Sequence, residues 1–525
     1  MKRFYYYLIP VLIIISLLIG LLAYVLSNKI ESINEYYLIS RLPRIRPDYC
    51  NTVIPPNIAP LNFVVEEKGS GYFVKIYSQH GQAIKIFSKT AKIIIPEKAW
   101  HNLLSDNKGG QLHCDIFVKK ENNWNLYETI TNKIAQENID NFLVYRKILP
   151  GHSMWNKMGV YQRNLYNYDE LPILKNTSYN RGCVNCHTFL NNRTDKMFLA
   201  IRSSHYKSSS ILIEDGTVSK IGTKFGYTSW HPSGRLAVYT AIKVRQFFHS
   251  AQEEVRDVID LDSLLACYMV ESKTVKIPSI FSEKNRLETY PTWSPDGNYL
   301  YFCSAPILWS DGNRVPPERF GEVKYDLVRV SYDLESDQWG EPETILSAQD
   351  TGLSILEPRI SPDGRWLLVC MCNYGCFPVF QLSSDLYLID LKTSEETGQY
   401  KYRRLEINSD KSESWHSWSS NSRWIAFSSK RDYGEFTRSY FSYIDTNGEL
   451  SKPLLLPQKD PTFYDSCLET YSVPEFIIEP VRARGEKIAK AVRGEAKIEV
   501  DIPITMATPK AESSPKMQDA WQERE

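Results

Sequence analysis

Two thiols and an imidazole stand within one short run, Cys183-Val184-Asn185-Cys186-His187. Thiolates are nucleophiles and soft metal ligands, and an adjacent imidazole is an iron or zinc ligand. C-x-x-C-H is the spacing at which two sulfurs add across the vinyl groups of one porphyrin while the next histidine takes the iron. The run therefore reads as an attachment site for one covalent haem c, with Cys183 and Cys186 as thioether residues and His187 as proximal ligand. A thioredoxin-like redox pair and a zinc half-site are the alternatives. The first normally opens a helix and has no use for the histidine, and the second wants a further ligand pair, whereas no other C-x-x-C occurs.

The sixth position on such an iron decides its chemistry. Met158 and Met197 are the preferred distal candidates, with Met154, His152 and His205 behind them. No G-x-S-x-G, Walker loop or H-E-x-x-H is present, so no catalytic residues are assigned. Asp257, Asp260 and Asp262 read as a solvated acidic loop rather than a cation site. Cys370, Cys372 and Cys376 form a C-x-C-x3-C cluster with no histidine near in sequence, which reads as a disulfide or as buried thiols. Cys50, Cys114, Cys267, Cys303 and Cys467 read as structural, and His231 and His416 as packing residues.

These residues need elements to hold them. The chain has 525 residues, with 62 basic and 62 acidic side chains, a balance that exerts no bulk pull on nucleic acid. Lys2 and Arg3 precede an uncharged run from Phe4 to Ser27, long enough to span ~30 Å of hydrocarbon. Residues 1–29 thus read as an uncleaved anchor, and the positive-inside bias puts everything beyond them in the periplasm as a single-pass inner-membrane protein. Residues 30–54 read as a stalk whose basic residues lie near headgroups or water. Alternating strands over 55–135 suggest an immunoglobulin-like β-sandwich. Residues 136–195 form an aromatic-rich connector that carries the C-x-x-C-H run, and 479–525, charged and poor in apolar residues, read as a disordered tail.

Between connector and tail a repeat governs the chain. Trp230-His231-Pro232-Ser233-Gly234-Arg235, Trp293-Ser294-Pro295-Asp296-Gly297-Asn298 and Ile360-Ser361-Pro362-Asp363-Gly364-Arg365 each precede an apolar strand. Trp418-Ser419-Ser420-Asn421-Ser422-Arg423 is a fourth copy that has lost both Pro and Gly. Such turns joining short strands describe propeller blades, and the units resemble the repeats of the TolB-type β-propeller over 196–478. Five blades are expected, with six as the alternative. The strand near Leu468-Glu469-Thr470-Tyr471 is expected to close the blade that contains Met197 to Arg202.

The fold class expected is therefore mainly β: transmembrane helix, sandwich, propeller. The order of parts resembles a Bacteroidetes-type group of membrane-anchored, TolB-like proteins with a cytochrome c motif. That resemblance implies a haem-bearing electron-transfer protein whose propeller docks a periplasmic or membrane redox partner, or alternatively an envelope-protein-binding scaffold with a structural or sensory haem.

Overall fold

The computed structural model describes residues 33–498, apart from 250–253, 255, 283–284, 313 and 315. The chain is mainly β, as expected, and divides into two compact units. The first comprises residues up to 136 together with 457–465, and the second the remainder.

The first unit is built on a seven-stranded sheet and a separate three-stranded one. Its long strands Gly71–Tyr77 and Gln111–Lys120 pair antiparallel and bury Val74, Ile76, Ile116 and Val118 at alternate positions. Two edges pair in parallel, Tyr37–Ile39 with Asn123–Tyr127 and Val53–Ile54 with Ile130–Ile134, a departure from the purely antiparallel sheets of the expected sandwich. A helix, Glu97–Ser105, lies between strands and buries Trp100, whose Nε1 donates to Ile58 O at 3.0 Å. The stalk reading is corrected as well. Residues 37–54 supply strands, and Arg41 turns to the buried Glu67 carboxylate at 2.7 Å rather than to headgroups.

The anchor expected over residues 1–29 lies outside the described residues. Among the described residues no helix is long and apolar enough to cross a membrane, a finding that stands against the expected inner-membrane, single-pass placement.

The second unit consists of six antiparallel sheets that follow one another along the chain. Five are meanders that begin with Cys183–Leu190, Thr228–Trp230, Arg286–Trp293, Ser354–Ile360 and Glu413–Trp418. The sixth joins Phe142–Ile148, Met158–Asn164 and Glu170–Lys175 to the late strand Thr470–Ile477. Each leading strand lies beside the leading strand of the next sheet, and Thr470–Ile477 touches both Glu413–Trp418 and Cys183–Leu190. The late strand therefore completes the sheet of residues 142–175, not the one containing Met197. Part of the expected connector is itself a sheet, so the second unit holds six sheets.

The repeat turns form as their chemistry requires. Gly234, Gly297 and Gly364 adopt φ of 69°, 79° and 75°, and their amides donate back to His231, Ser294 and Ser361. Ser422 takes the same position at φ 60° and donates to Ser419, so the fourth copy keeps the turn without glycine. Ser361 Oγ and Ser419 Oγ each accept from the amide of the tryptophan that starts the next strand, at 2.9 and 3.0 Å.

The expected disordered tail is corrected over residues 479–498, and residues 499–525 lie outside the described ones. Gly485–Arg493 is a helix whose Ile488, Ala489 and Val492 are buried in a core shared with Val184, Met197 and Ile477. Lys220 Nζ donates to Val492 O and Gly494 O, both at 2.8 Å, and so satisfies carbonyls at the helix C-terminus.

Candidate functional site

The C-x-x-C-H run lies on a strand, Cys183–Leu190, with a bulge between Val184 and His187. On an extended chain neighbouring side chains face opposite ways, and a bulge re-aims one of them. The consequence is a split motif. Cys183 and Cys186 both line a cavity of about 390 Å³, while His187 is not among its lining residues. The histidine side chain is wholly buried, with Nε2 3.9 Å from Glu475 Oε2.

Both members of that pair are pushed toward their neutral forms by their surroundings. Burial, with Arg146 and Arg359 nearby, pulls His187 down to about 3. Burial pushes Glu475 up to about 7, against the opposing pull of Arg359 and of the Phe189 amide that donates to it. His187 thus packs inside the protein instead of presenting a lone pair to the cavity.

Of the distal candidates, Met158 lines the same cavity and so does Met154. Met197 pairs across from Phe189 and sits wholly buried in the apolar core, outside the cavity lining. His205 is exposed on a loop against Tyr206.

What surrounds the thiols was not visible in the sequence. Arg146, Arg202, Lys224, Arg245, Arg256 and Lys430 line the cavity, against Glu254 and Glu435. Lys430 is already paired with Glu254. Arg256 lies over the Phe380 ring at 4.6 Å, and its Nε is buried with no hydrogen-bond partner among the described residues. Burial and the neighbouring Arg146 lower it to about 10. Burial, then Arg202, lowers Lys224 as well. Burial raises both thiols, and Arg146 heads the cations that pull them back toward ionisation. No spacing rule could have found this set, because its members come from strands and loops of separate sheets.

The cavity floor is aromatic. Tyr227 stacks against Tyr290 at 4.1 Å and lies 5.7 Å from Trp415. Tyr290, Glu357, Trp415 and Val473 all have positive φ, from 49° to 53°, at bulges of three leading strands and of the late strand Thr470–Ile477. Strained backbone on non-glycine residues persists only where the surroundings enforce it, and it clusters at working sites. Beyond this floor is a second cavity of about 410 Å³, whose lining includes Glu357, Arg359, His416 and Glu475.

The acidic cluster is not the expected solvated loop. Asp257 and Asp260 lie buried on the strand Arg256–Met269. Asp260 accepts from Ser263 at 2.5 Å, Tyr325 at 3.0 Å and the Asp262 amide, and burial pushes it up to about 7. Cys370, Cys372 and Cys376 are buried thiols, and the cluster holds no disulfide. His231 packs as expected, edge-on to Trp293 at 4.7 Å.

No known protein family matches the chain, and no curated protein matches it. Among solved structures it is similar to a puromycin hydrolase, at 13% identity and a TM-score of 0.32, covering 60% of this chain and 45% of that one. It is also similar to prolyl oligopeptidase B from Galerina marginata, at 10% identity and 0.33, covering 66% and 42%. A DUF4784 family protein from Bacteroides caccae aligns at 8% identity and 0.26, covering 72% and 96%. The chain spans less than half the length of those two peptidases.

The expected membership in a membrane-anchored, TolB-like cytochrome group is corrected, since no family model and no curated protein matches the chain. The expected electron-transfer function, with its envelope-scaffold alternative, is corrected with it. His187, turned from the cavity toward Glu475, removes its central residue.

Proposed function

We propose that the second unit is a six-bladed β-propeller and that the chain is a ligand-binding protein. The succession of meanders and the late strand Thr470–Ile477, added to the earliest sheet, support the propeller. The observation that carries the function is the charge imbalance of the thiol-lined cavity, six cationic side chains against two carboxylates in a chain of zero net charge. Such a pocket suits an anionic ligand, and its Tyr227 and Trp415 floor suits a ligand with a flat apolar body. Cys183 and Cys186 would hold the ligand covalently if it carries electrophilic carbons.

A dianionic tetrapyrrole has all these features, so the haem read from the C-x-x-C spacing is the first ligand to test. Cations among Arg146, Arg202, Lys224 and Arg256 would take its carboxylates, and the thiols its vinyl carbons. No redox role is part of the proposal. The test is a spectroscopic titration with haemin and with its dimethyl ester. The double variant Arg202→Glu, Lys224→Glu should weaken haemin binding about 10- to 100-fold, the range expected for losing charge-assisted hydrogen bonds. The parent should prefer the free acid to the ester. Equal affinity of parent and variant, or no preference over the ester, would overturn the reading.

A further inference from the structure

The second cavity has chemistry of its own. Glu357 on Ser354–Ile360, Cys370 on Trp366–Cys372 and His416 on Glu413–Trp418 bring a carboxylate oxygen, a sulfur and an imidazole nitrogen within 4.8 Å of one another, all buried. Cys370 Sγ lies 3.3 Å from Glu357 Oε2 and 3.5 Å from His416 Nδ1. Tetrahedral zinc with ~2.3 Å bonds to sulfur and ~2.0–2.2 Å bonds to nitrogen or oxygen would hold its ligands ~3.3–3.7 Å apart. The two separations that involve sulfur match.

The outer contacts also suit a metal. His416 Nε2 faces Leu368 O at 3.0 Å, so a proton there leaves the Nδ1 lone pair directed at the cluster. The Trp415 amide donates to Glu357 Oε2 at 2.6 Å and fixes the carboxylate. Protons are fewer than lone pairs. With Glu357 ionised, a single S–H is shared among Oε2, Nδ1 and the more distant Glu413 O, and Glu357 Oε1, buried, has no partner among the described residues. A cation resolves this deficit where rotation of a thiol cannot. With thiolate, carboxylate and neutral imidazole, a divalent ion leaves the set electrically neutral.

We propose that Glu357, Cys370 and His416 form a binding site for a divalent transition metal of the zinc class, with the fourth position open toward the second cavity. Glu357 and His416 line that cavity, and His416 comes from the sheet next to the one holding the other two ligands. The metal would therefore bridge neighbouring sheets and offer a ligand-accessible Lewis acid. The histidine absent from the C-x-C-x3-C sequence is supplied across this boundary. The site is independent of any ligand held at Cys183 and Cys186.

The test is titration of the full chain, stripped of metal, with Co2+ followed by Zn2+. One Co2+ per chain should bind with a thiolate-to-cobalt charge-transfer band that Zn2+ abolishes. The band should persist in Cys372→Ser and in the Cys183→Ser, Cys186→Ser double variant, and vanish in Cys370→Ser. A folded parent without the band, a band that survives Cys370→Ser, or one lost with Cys183 and Cys186 would overturn the proposal. Should Cys370→Ser fail to fold, Glu357→Gln decides the matter. It keeps size while removing the charge and should weaken Zn2+ binding tenfold or more, and an unchanged affinity would overturn the site.

Discussion

Asp260 allows a quantitative test of how burial governs this molecule. Its carboxyl is raised from 3.8 to about 7, chiefly by burial, which outweighs the hydrogen bonds from Ser263 and Tyr325 that favour ionisation. A carboxyl that holds its proton more tightly when folded contributes stability that is present at low pH and lost as pH rises through 7. Between pH 5 and 8 the folded parent gives up about 3 kcal/mol in all, at about 1.4 kcal/mol per pH unit below pH 6 and progressively less through pH 7. Asp260→Asn removes this titration and imitates the protonated acid, because the Ser263 and Tyr325 hydroxyls can turn to accept from the new amide. The variant should thus gain on the parent by about 3 kcal/mol from pH 5 to pH 8, which corresponds to about 4 °C in Tm for a unit of several hundred residues. Urea or thermal unfolding of both proteins across that range measures it. A parent-to-variant difference that stays constant with pH would refute the assignment of burial as the dominant force on this group.

Gly297 sits at φ 79°, and a Cβ there would lie 2.5 Å from His231 Nε2. Gly297→Ala should lower stability by about 1–3 kcal/mol, whereas Gly364→Ala, with φ 75° and nothing within 4 Å, should cost less; thermal melts of the two compare steric clash with backbone strain. Ile488→Ala should cost about 2–5 kcal/mol because Ile488 is wholly buried in the core, and unfolding within experimental error of the parent would show that the C-terminal helix does not dock. Glu67, held down at about 2 first by its hydrogen bond from Arg41, contributes stability that is present above its ordinary range and lost as pH falls through 2. Glu67→Gln should therefore be less stable than the parent at pH 7 and converge on it near pH 2, as followed by tryptophan fluorescence.

Local chemistry was readable from residues alone wherever it depended on neighbours in the chain. Alternating apolar residues announced the strands, and the Pro and Gly turn units announced the hairpins, since both signals are carried by a few consecutive residues. Even the degenerate fourth copy, Ser419 to Ser422, followed the pattern and made its turn with a left-handed serine. Cys183 and Cys186 were likewise legible as two thiols close together, and both do line one cavity.

Only the tertiary structure decided which way His187 faces, because a bulge in an extended strand re-aims side chains and no spacing records it. The same holds for the partner of the late strand Thr470–Ile477, which pairs with residues more than three hundred positions earlier. A short helix with three apolar positions, Ile488, Ala489 and Val492, reads as a solvated tail until another surface covers it. The cations around the thiols and the meeting of Glu357, Cys370 and His416 are products of the arrangement of sheets. Burial then sets their ionisation, and burial is a property of the assembled fold rather than of any stretch of chain.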